Sequence, residues 1–251
     1  MRILVWLRWS VAFVSLVAMT SLFVFPMAWV VRWLGGLSSV QLVPAVMAGS
    51  IAVLIASAVS VFLFGRLYCS VICPLGIAQD VVRLCLSWII PRRVARPLTR
   101  SARVVRLAIL ILFVVGLFFG LTGLIAPYGI FGRFLTVCVK RAGEPALAVT
   151  IWAASLFGFV LAMSLVRARW WCNRVCPVGT FLGLFSRFAV FRVRINRAKC
   201  VTCGLCAKAC DKGALSVRDD KSIAVDSASC VTCFDCAGSC KKGALRFLPK
   251  V

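Results

Sequence analysis

Eight cysteines near the C-terminus follow one spacing twice. Each run has the form C-x2-C-x2-C-x3-C, and the second begins at Cys230, thirty residues after Cys200. Three thiolates on one tight loop can hold three corners of an iron-sulfur cubane, and this spacing is typical of proteins with two [4Fe-4S] clusters. The dipeptide Val201-Thr202 also recurs as Val231-Thr232. The pattern therefore predicts a duplicated unit for one-electron chemistry.

These runs closely resemble those of bacterial two-cluster ferredoxins, in which the fourth cysteine of each run binds the other cluster. The resemblance implies two ligand sets: Cys200, Cys203, Cys206 and Cys240 for cluster 1, and Cys230, Cys233, Cys236 and Cys210 for cluster 2. Between the runs, residues 215–217 and 223–225 are predicted as short strands around a polar turn, which suits a small α+β domain. After the fourth cysteine, where that family usually has proline, this chain has Asp211 and Lys241.

Cysteine clusters have two other common uses. Structural zinc sites usually combine a C-x2-C pair with a distant second pair, unlike four cysteines within eleven residues. Disulfides belong to oxidising compartments, and the topology expected below places these cysteines in the cytoplasm. Iron-sulfur ligation is the interpretation that the spacing favours.

The remainder of the chain is strongly apolar. Hydrophobic residues make up 62% of the sequence, and the mean hydropathy is +1.01. Four apolar runs are each about long enough to cross a bilayer as a helix, and they lack the polar faces of helices in soluble domains. The runs are 11–31, 45–64, 107–126 and 146–166. We expect an all-α membrane domain of four transmembrane helices over residues 1–191, followed by a two-cluster ferredoxin-like domain over 192–251.

Basic residues predict the orientation. Lys and Arg near the ends of spans stay on the cytoplasmic side, and eight arginines lie between Arg66 and Arg106, in the loop after the second run. The sequence predicts a multi-pass protein of the inner (cytoplasmic) membrane, with both termini in the cytoplasm. The formal charge of +23 then flanks membrane spans and faces anionic headgroups, so a nucleic-acid partner is not expected.

A second repeat lies in the membrane half, where two C-x3-C-P motifs are 103 residues apart. Their cysteines are Cys69, Cys73, Cys172 and Cys176. Cysteines at i and i+4 share one face of a helix, and the proline should end or kink that turn. Each motif continues into a run too short to span, 77–90 and 181–191, expected as interfacial or re-entrant helices.

This repeat predicts a duplicated two-helix unit that packs about a pseudo-two-fold axis. Such packing would bring the four thiols together. They would then hold a further iron-sulfur cluster, hold another metal, or act as redox-active dithiols. Alternatively, they are small apolar residues at a helix junction. Cys85 and Cys138 lack any such context and are predicted to be packing residues.

The chain contains no histidine, which excludes haem with paired histidine ligands, Rieske centres and histidine-bound copper or zinc within it. Carboxylates near the spans are also few. Asp80, beside Arg83, is the best candidate for a proton-handling group, although a surface ion pair is the favoured interpretation. No nucleotide or flavin motif appears.

The chain resembles NapH-type membrane iron-sulfur proteins, the quinol dehydrogenase membrane component. The resemblance lies in the order of four apolar runs, two C-x3-C-P motifs, the first preceded by Gly65-Arg66-Leu67-Tyr68, and the terminal cysteine runs. Related cores occur in NosR-type and FixG/CcoG-type proteins. The resemblance implies electron transfer between the quinone pool and other redox subunits of a membrane complex.

Two further functions stay open. One is an assembly factor that reduces metal or thiols for another membrane redox enzyme, and the other is a structural anchor with vestigial clusters. Lysines near the cysteine runs should partly offset cluster charge and help dock an acidic partner. They are Lys208, Lys212, Lys241 and Lys242.

Overall fold

The computed structural model describes residues 2–24, 41–47, 49–86, 88–89, 99–119, 126–139, 147–218, 220 and 222–249. Within these ranges the chain is mostly helical, with short strands confined to its C-terminal part. Three helical segments are long and apolar enough to cross a membrane, namely Ile3–Val24, Ser101–Phe118 and Ala148–Val166.

The long helices follow three of the four predicted spans. They are α1 (Arg2–Val24), α6 (Arg100–Phe118) and α8 (Leu147–Val166). The predicted ends of the first span, at residues 25–31, and of the third, at 120–125, lie outside the described residues. A further helix, α7 (Pro127–Val139), follows the third span and was not predicted.

The second predicted span is interrupted. It forms α2 (Leu42–Met47) and α3 (Ile51–Phe64), with Gly49 between them at a left-handed φ of +64°. At 1.5 Å rise per residue, the 14 residues of α3 are shorter than the roughly 20 that a perpendicular span needs. The predicted count of four transmembrane helices is therefore not confirmed.

Each C-x3-C-P motif forms two short helices rather than one. The first motif gives α4 (Tyr68–Val71) and α5 (Pro74–Cys85), and the second gives α9 (Trp170–Arg174) and α10 (Pro177–Phe185). The second cysteine of each motif is an extended N-cap, and the proline occupies the start of the next helix, where its missing N–H has no consequence. The expectation that both cysteines share one helix, which the proline ends, is wrong.

The C-terminal part is a small α+β unit. Strand β1 (Phe191–Ile195) pairs antiparallel with β4 (Leu245–Pro249), and β2 (Leu215–Val217) pairs antiparallel with β3 (Ile223–Val225). The short strands predicted between the cysteine runs are confirmed. The short helices α11 (Leu205–Ala209) and α12 (Asp235–Gly238) each carry the third cysteine of a run.

This unit packs directly on the helices. The backbone N–H of Val190 donates to the carbonyl of Phe62 at 2.8 Å, and the rings of Phe64 and Phe191 stack with centroids 5.8 Å apart. The hydroxyl of Ser186 donates to the carbonyl of Ser227 at 2.9 Å. The end of α3 therefore holds the C-terminal unit against the helical core.

Candidate iron-sulfur and thiol centres

The eight C-terminal cysteines line two separate cavities. One cavity is lined by Cys200, Cys203, Cys206 and Cys240. The other is lined by Cys210, Cys230, Cys233 and Cys236. Each cavity thus receives three cysteines from one run and the fourth from the other. The first is called the outer site and the second the inner site below.

Left-handed residues shape the loops around both cavities. Thr202 and Thr232 have φ values of 51° and 54°, and Gly204 and Phe234 have values of 71° and 63°. These pairs are thirty residues apart, so the two loops bend at equivalent positions. Threonine and phenylalanine seldom adopt this conformation, which costs roughly 1–3 kcal/mol per residue and persists mainly at functional sites.

The donors around the sulfurs suit thiolate ligands. The N–H of Ala244 donates to the sulfur of Cys240 at 3.4 Å. Burial raises the pKa values of the Cys230 and Cys233 thiols, and hydrogen bonds from the backbone N–H groups of Thr232 and Asp235 partly oppose that rise. Four cysteines around one cavity fit a [4Fe-4S] cluster, which supplies one-electron redox chemistry when bound.

A single metal ion fits less well. Among the described residues, no three cysteine or carboxylate side chains are arranged to hold one metal ion. A cubane separates its ligand sulfurs more widely than one zinc ion does, so the cavities favour a cluster over structural zinc.

Lys212 lies buried at the inner site. Its ammonium group is 2.7 Å from Oδ1 of Asp211 and 2.8 Å from Oδ2 of Asp235. Burial alone would lower the pKa of Lys212, but the neighbouring Cys233 and the carboxylates of Asp80, Asp235 and Asp211 raise it well above its usual value. Lys212 is therefore not a surface docking residue, and that expectation is wrong.

The four C-x3-C-P cysteines lie together in the helical core. Cys69, Cys73, Cys172 and Cys176 are each only 3–4% exposed. Burial, and then the proximity of Cys172 and Cys69, raise the pKa of the Cys73 thiol. The N–H of Gly179 donates to the sulfur of Cys176 at 3.3 Å. These four side chains are called the thiol quartet below.

Two arginines connect the two motifs reciprocally. Arg66 and Arg169 occupy the same position in the two repeats and are both fully buried. Arg66 Nη2 donates to the carbonyl of Cys172 at 3.0 Å, and Arg169 Nη1 donates to the carbonyl of Cys69. Each arginine thus binds the first cysteine of the other copy. The aligned repeat contained both arginines, but without the contacts they were not recognised as site residues.

Asp80 is buried rather than at the surface. Arg169 donates to both of its oxygens, at 2.9 and 2.7 Å, and Arg8 donates to Oδ2 at 3.1 Å. Arg83, its expected partner, instead donates to the carbonyl of Leu165 at 2.6 Å. The surface-pair interpretation is therefore wrong, because the pair is buried and its partners differ.

The environment of Asp80 keeps it ionised. Burial alone would raise its pKa, but Arg169, then Lys212 and Arg8, hold the pKa well below its usual range. A carboxylate with so low a pKa is a poor proton acceptor near neutral pH. Asp80 binds Arg169, whose guanidinium also donates to the carbonyl of Cys69 in the thiol quartet.

An apolar cavity of about 440 Å³ opens beside the quartet. Helices α2, α3, α6 and α10 line it, and Ser57 supplies its only side-chain hydroxyl among the lining residues. Pro177 and Val178, directly after Cys176, form part of its wall. Its lining suits a hydrocarbon chain.

The two remaining cysteines, Cys85 and Cys138, are both exposed. The prediction that they pack in the interior is therefore wrong.

Comparison with known proteins supports this chemistry. A family described as a 4Fe-4S binding domain matches residues 45–94 and again 149–196, each of which contains one C-x3-C-P motif. A second family of the same description matches residues 193–216. No solved structure matches the chain.

Several curated proteins are similar to the chain. The methylamine utilization ferredoxin-type protein MauN of Paracoccus denitrificans is 35% identical over 58% of this chain and 48% of its own length. The ferredoxin-type protein NapH of Escherichia coli is 32% identical over 58% of this chain and 47% of its own length. The regulatory protein NosR of Stutzerimonas stutzeri is 24% identical over 63% of this chain and 22% of its own length.

The chain thus spans about half the length of the MauN and NapH relatives it matches. The family matches and the names of the relatives both indicate 4Fe-4S binding. The three long apolar helices indicate a membrane protein. The chain is thus similar to ferredoxin-type proteins of the NapH and MauN kind, and it carries segments that match 4Fe-4S binding domains.

Proposed function

We propose that the chain relays electrons between the quinone pool and a redox partner, with one [4Fe-4S] cluster at the outer site and one at the inner site. The observation that carries this proposal is the pair of four-cysteine cavities, attached to a core with membrane-length helices. A soluble ferredoxin has no need of such helices. A relay fixed in a bilayer can exchange electrons with a lipid-soluble carrier.

The number of redox sites suits quinol chemistry. Oxidation of one quinol to quinone releases two electrons and two protons. Two one-electron sites take up both electrons, and the two protons pass to water. Both oxygens of Asp80 are already engaged, by Arg169 and Arg8.

The apolar cavity supports the choice of carrier. It lies among α2, α3, α6 and α10 and reaches the residues that follow Cys176. Its hydrocarbon lining suits the isoprenoid tail of a quinone and would bring the molecule close to the thiol quartet. Ligand sites are commonly apolar cavities with a few polar groups.

The thiol quartet is proposed as a third iron-sulfur site between the quinone and the C-terminal sites. Its four buried sulfurs lie in segments matched by the 4Fe-4S binding family, and the Gln79 amide donates to Cys172 at 3.4 Å. Reciprocal binding by Arg66 and Arg169 supports a duplicated unit with pseudo-two-fold symmetry.

The maturation-factor alternative is less well supported. Thiol exchange requires an accessible sulfur with thiolate character. The quartet thiols are nearly inaccessible, since each cysteine is only 3–4% exposed. Such burial favours a bound redox centre over a dithiol that attacks another protein.

We place residues 1–191 in the inner membrane and residues 192–251 in the cytoplasm, with both termini cytoplasmic. The distribution of arginine supports this orientation, because the loop after the second apolar run is strongly basic. In this arrangement the outer and inner sites both lie on the cytoplasmic side of the membrane.

Quinol-dependent reduction tests the proposal. Membranes containing the chain are oxidised, mixed anaerobically with a short-chain quinol, frozen and examined by EPR spectroscopy. We expect reduced [4Fe-4S] signals to appear with quinol and with dithionite. If dithionite reduces the clusters but a series of quinols never does, the quinone relay is wrong.

A further inference from the structure

The outer and inner sites have the same local sequence and opposite surroundings. The tripeptide Val-Thr-Cys occurs in both runs, at 201–203 and 231–233. Val201 is 60% exposed, whereas Val231 is 1% exposed. Cys203 is exposed and Cys233 is buried. Two sites of similar construction therefore face different neighbours.

The helical core covers the inner site. Val231 and Cys233 pack in the same apolar cluster as three members of the thiol quartet, Cys69, Cys73 and Cys176. The inner site is thus the one that borders the quartet.

Specific hydrogen bonds fix the inner site in this position. The hydroxyl of Thr232 donates to the carbonyl of Phe64 at 3.2 Å. Arg66 Nη1 donates to the carbonyl of Ala228 at 2.9 Å, and the Asn173 amide donates to the carbonyl of Lys212 at 3.0 Å. Because Arg66 and Asn173 are buried, these contacts hold the site rigidly against the C-x3-C-P motifs.

Exposed lysines surround the outer site instead. Lys199, Lys241 and Lys242 line its cavity and are all exposed. The cavity lining contains no carboxylate among the described residues. At the inner site, by contrast, Asp211 and Asp235 neutralise Lys212. The outer site alone presents an uncompensated positive rim.

We infer that the inner site exchanges electrons with the membrane core, and that the outer site is the docking surface for a soluble redox protein with an acidic surface. Charge complementarity identifies the partner's chemistry, because a positive rim steers an acidic surface towards the exposed cluster position. The inference rests on the proposed relay but is testable without quinol.

Oxidation by charged probes tests the docking surface. The holoprotein in detergent is reduced with dithionite, desalted anaerobically and mixed in a stopped-flow instrument with ferricyanide, an anion, or hexaammineruthenium(III), a cation. Each probe molecule takes one electron from one reduced cluster, and no proton moves. At low salt, we expect Lys241→Glu/Lys242→Glu to slow cluster oxidation by ferricyanide about tenfold and to accelerate cluster oxidation by the ruthenium complex. Both effects should fade at high salt, because salt screens the charges.

The control is Arg187→Glu/Arg246→Glu, which has the same change in net charge. Both arginines are exposed, and neither lines a cysteine cavity. The control should change the two rates less than twofold. Equal effects from both double variants, or no effect from the lysine variant, would overturn the docking assignment. A failure of quinol reduction alone would leave this result unchanged.

A second measurement tests the order of the sites. The anionic chromium(III) trisoxalate complex should enhance the EPR relaxation of one reduced cluster only, the one at the outer site. Lys212→Gln removes a positive charge beside Cys233, so it should lower the midpoint potential of the other, unrelaxed cluster, and Lys212→Arg should restore it. If the relaxed signal is also the one that shifts in potential, the order of the sites is wrong.

Discussion

Arg169 binds both carboxylate oxygens of Asp80, at 2.9 and 2.7 Å, although the two residues belong to different C-x3-C-P repeats. Paired N–H donors on one carboxylate fix geometry as well as charge. The same guanidinium reaches the carbonyl of Cys69. Asp80 therefore sets the position of the arginine that connects one motif to the other.

Asp80→Asn should destabilise the protein by about 3–5 kcal/mol, because two buried arginines lose their compensating charge. Thermal loss of cluster absorbance in detergent measures the change. Since the pKa of Asp80 lies below its usual range, its contribution is fully present above about pH 4, and the effect should be the same at about pH 6 and pH 8.

Asp220→Asn is the matched control for that substitution. Asp220 is exposed in the turn between β2 and β3, and the substitution there should leave the melting temperature nearly unchanged. Equal melting temperatures for Asp80→Asn and the unaltered protein would contradict the structural role of Asp80.

Alanine at either motif glycine should disturb the contact between the repeats. A Cβ on Gly179 would lie 2.8 Å from Nη2 of Arg66 and also against the carbonyl of Cys172. One on Gly76 would lie 3.1 Å from Nη1 of Arg169 and also against the carbonyl of Cys69. Such overpacking costs typically 1–3 kcal/mol, which lower melting temperatures would report. Gly158→Ala should be harmless, since nothing lies within 4 Å of its Cβ position.

The two fourth cysteines should each belong to the other run's cluster. Cys240→Ala should remove the EPR signal that Cys203→Ala removes, while Cys210→Ala should remove the signal lost in Cys233→Ala, with about four irons lost per chain. The cavities support this pairing. If Cys240→Ala and Cys233→Ala abolish the same signal, the crossed arrangement is wrong.

The thiol quartet should add iron beyond the two C-terminal clusters. After anaerobic purification we expect about twelve irons per chain, against about eight for two clusters. Cys69→Ala/Cys172→Ala should lose about four, whereas Cys85→Ala/Cys138→Ala, at exposed positions, should lose none. About eight irons in all three proteins would show that the quartet holds no iron-sulfur cluster.

Filling the apolar cavity should impair the use of quinol. Ala58 lines the cavity, so Ala58→Trp should occupy space needed by the quinone tail and slow quinol-dependent cluster reduction roughly tenfold or more. Reduction by dithionite should be unaffected. Ala56→Trp is the control, because Ala56 lies on the same helix outside the cavity; an equal loss in both variants would argue against this site.

The spacing of the cysteines determined much of this protein by itself. Iron-sulfur ligation depends on three sulfurs within one tight loop, and the distance between them along the chain limits their distance in space. The strands at 215–217 and 223–225 were likewise predictable, because short β-branched segments flank a polar turn. Long apolar runs specified membrane-length helices for the same local reason.

Only the tertiary structure decided which neighbours these elements meet. Val201 and Val231 have the same sequence context, yet one is exposed and the other is buried against the thiol quartet. Asp80 pairs with Arg169, 89 residues away, and with Arg8 on α1, rather than with Arg83 on its own helix. Local sequence sets the conformation of a loop or helix, whereas burial and charge pairing depend on packing between segments distant in the chain.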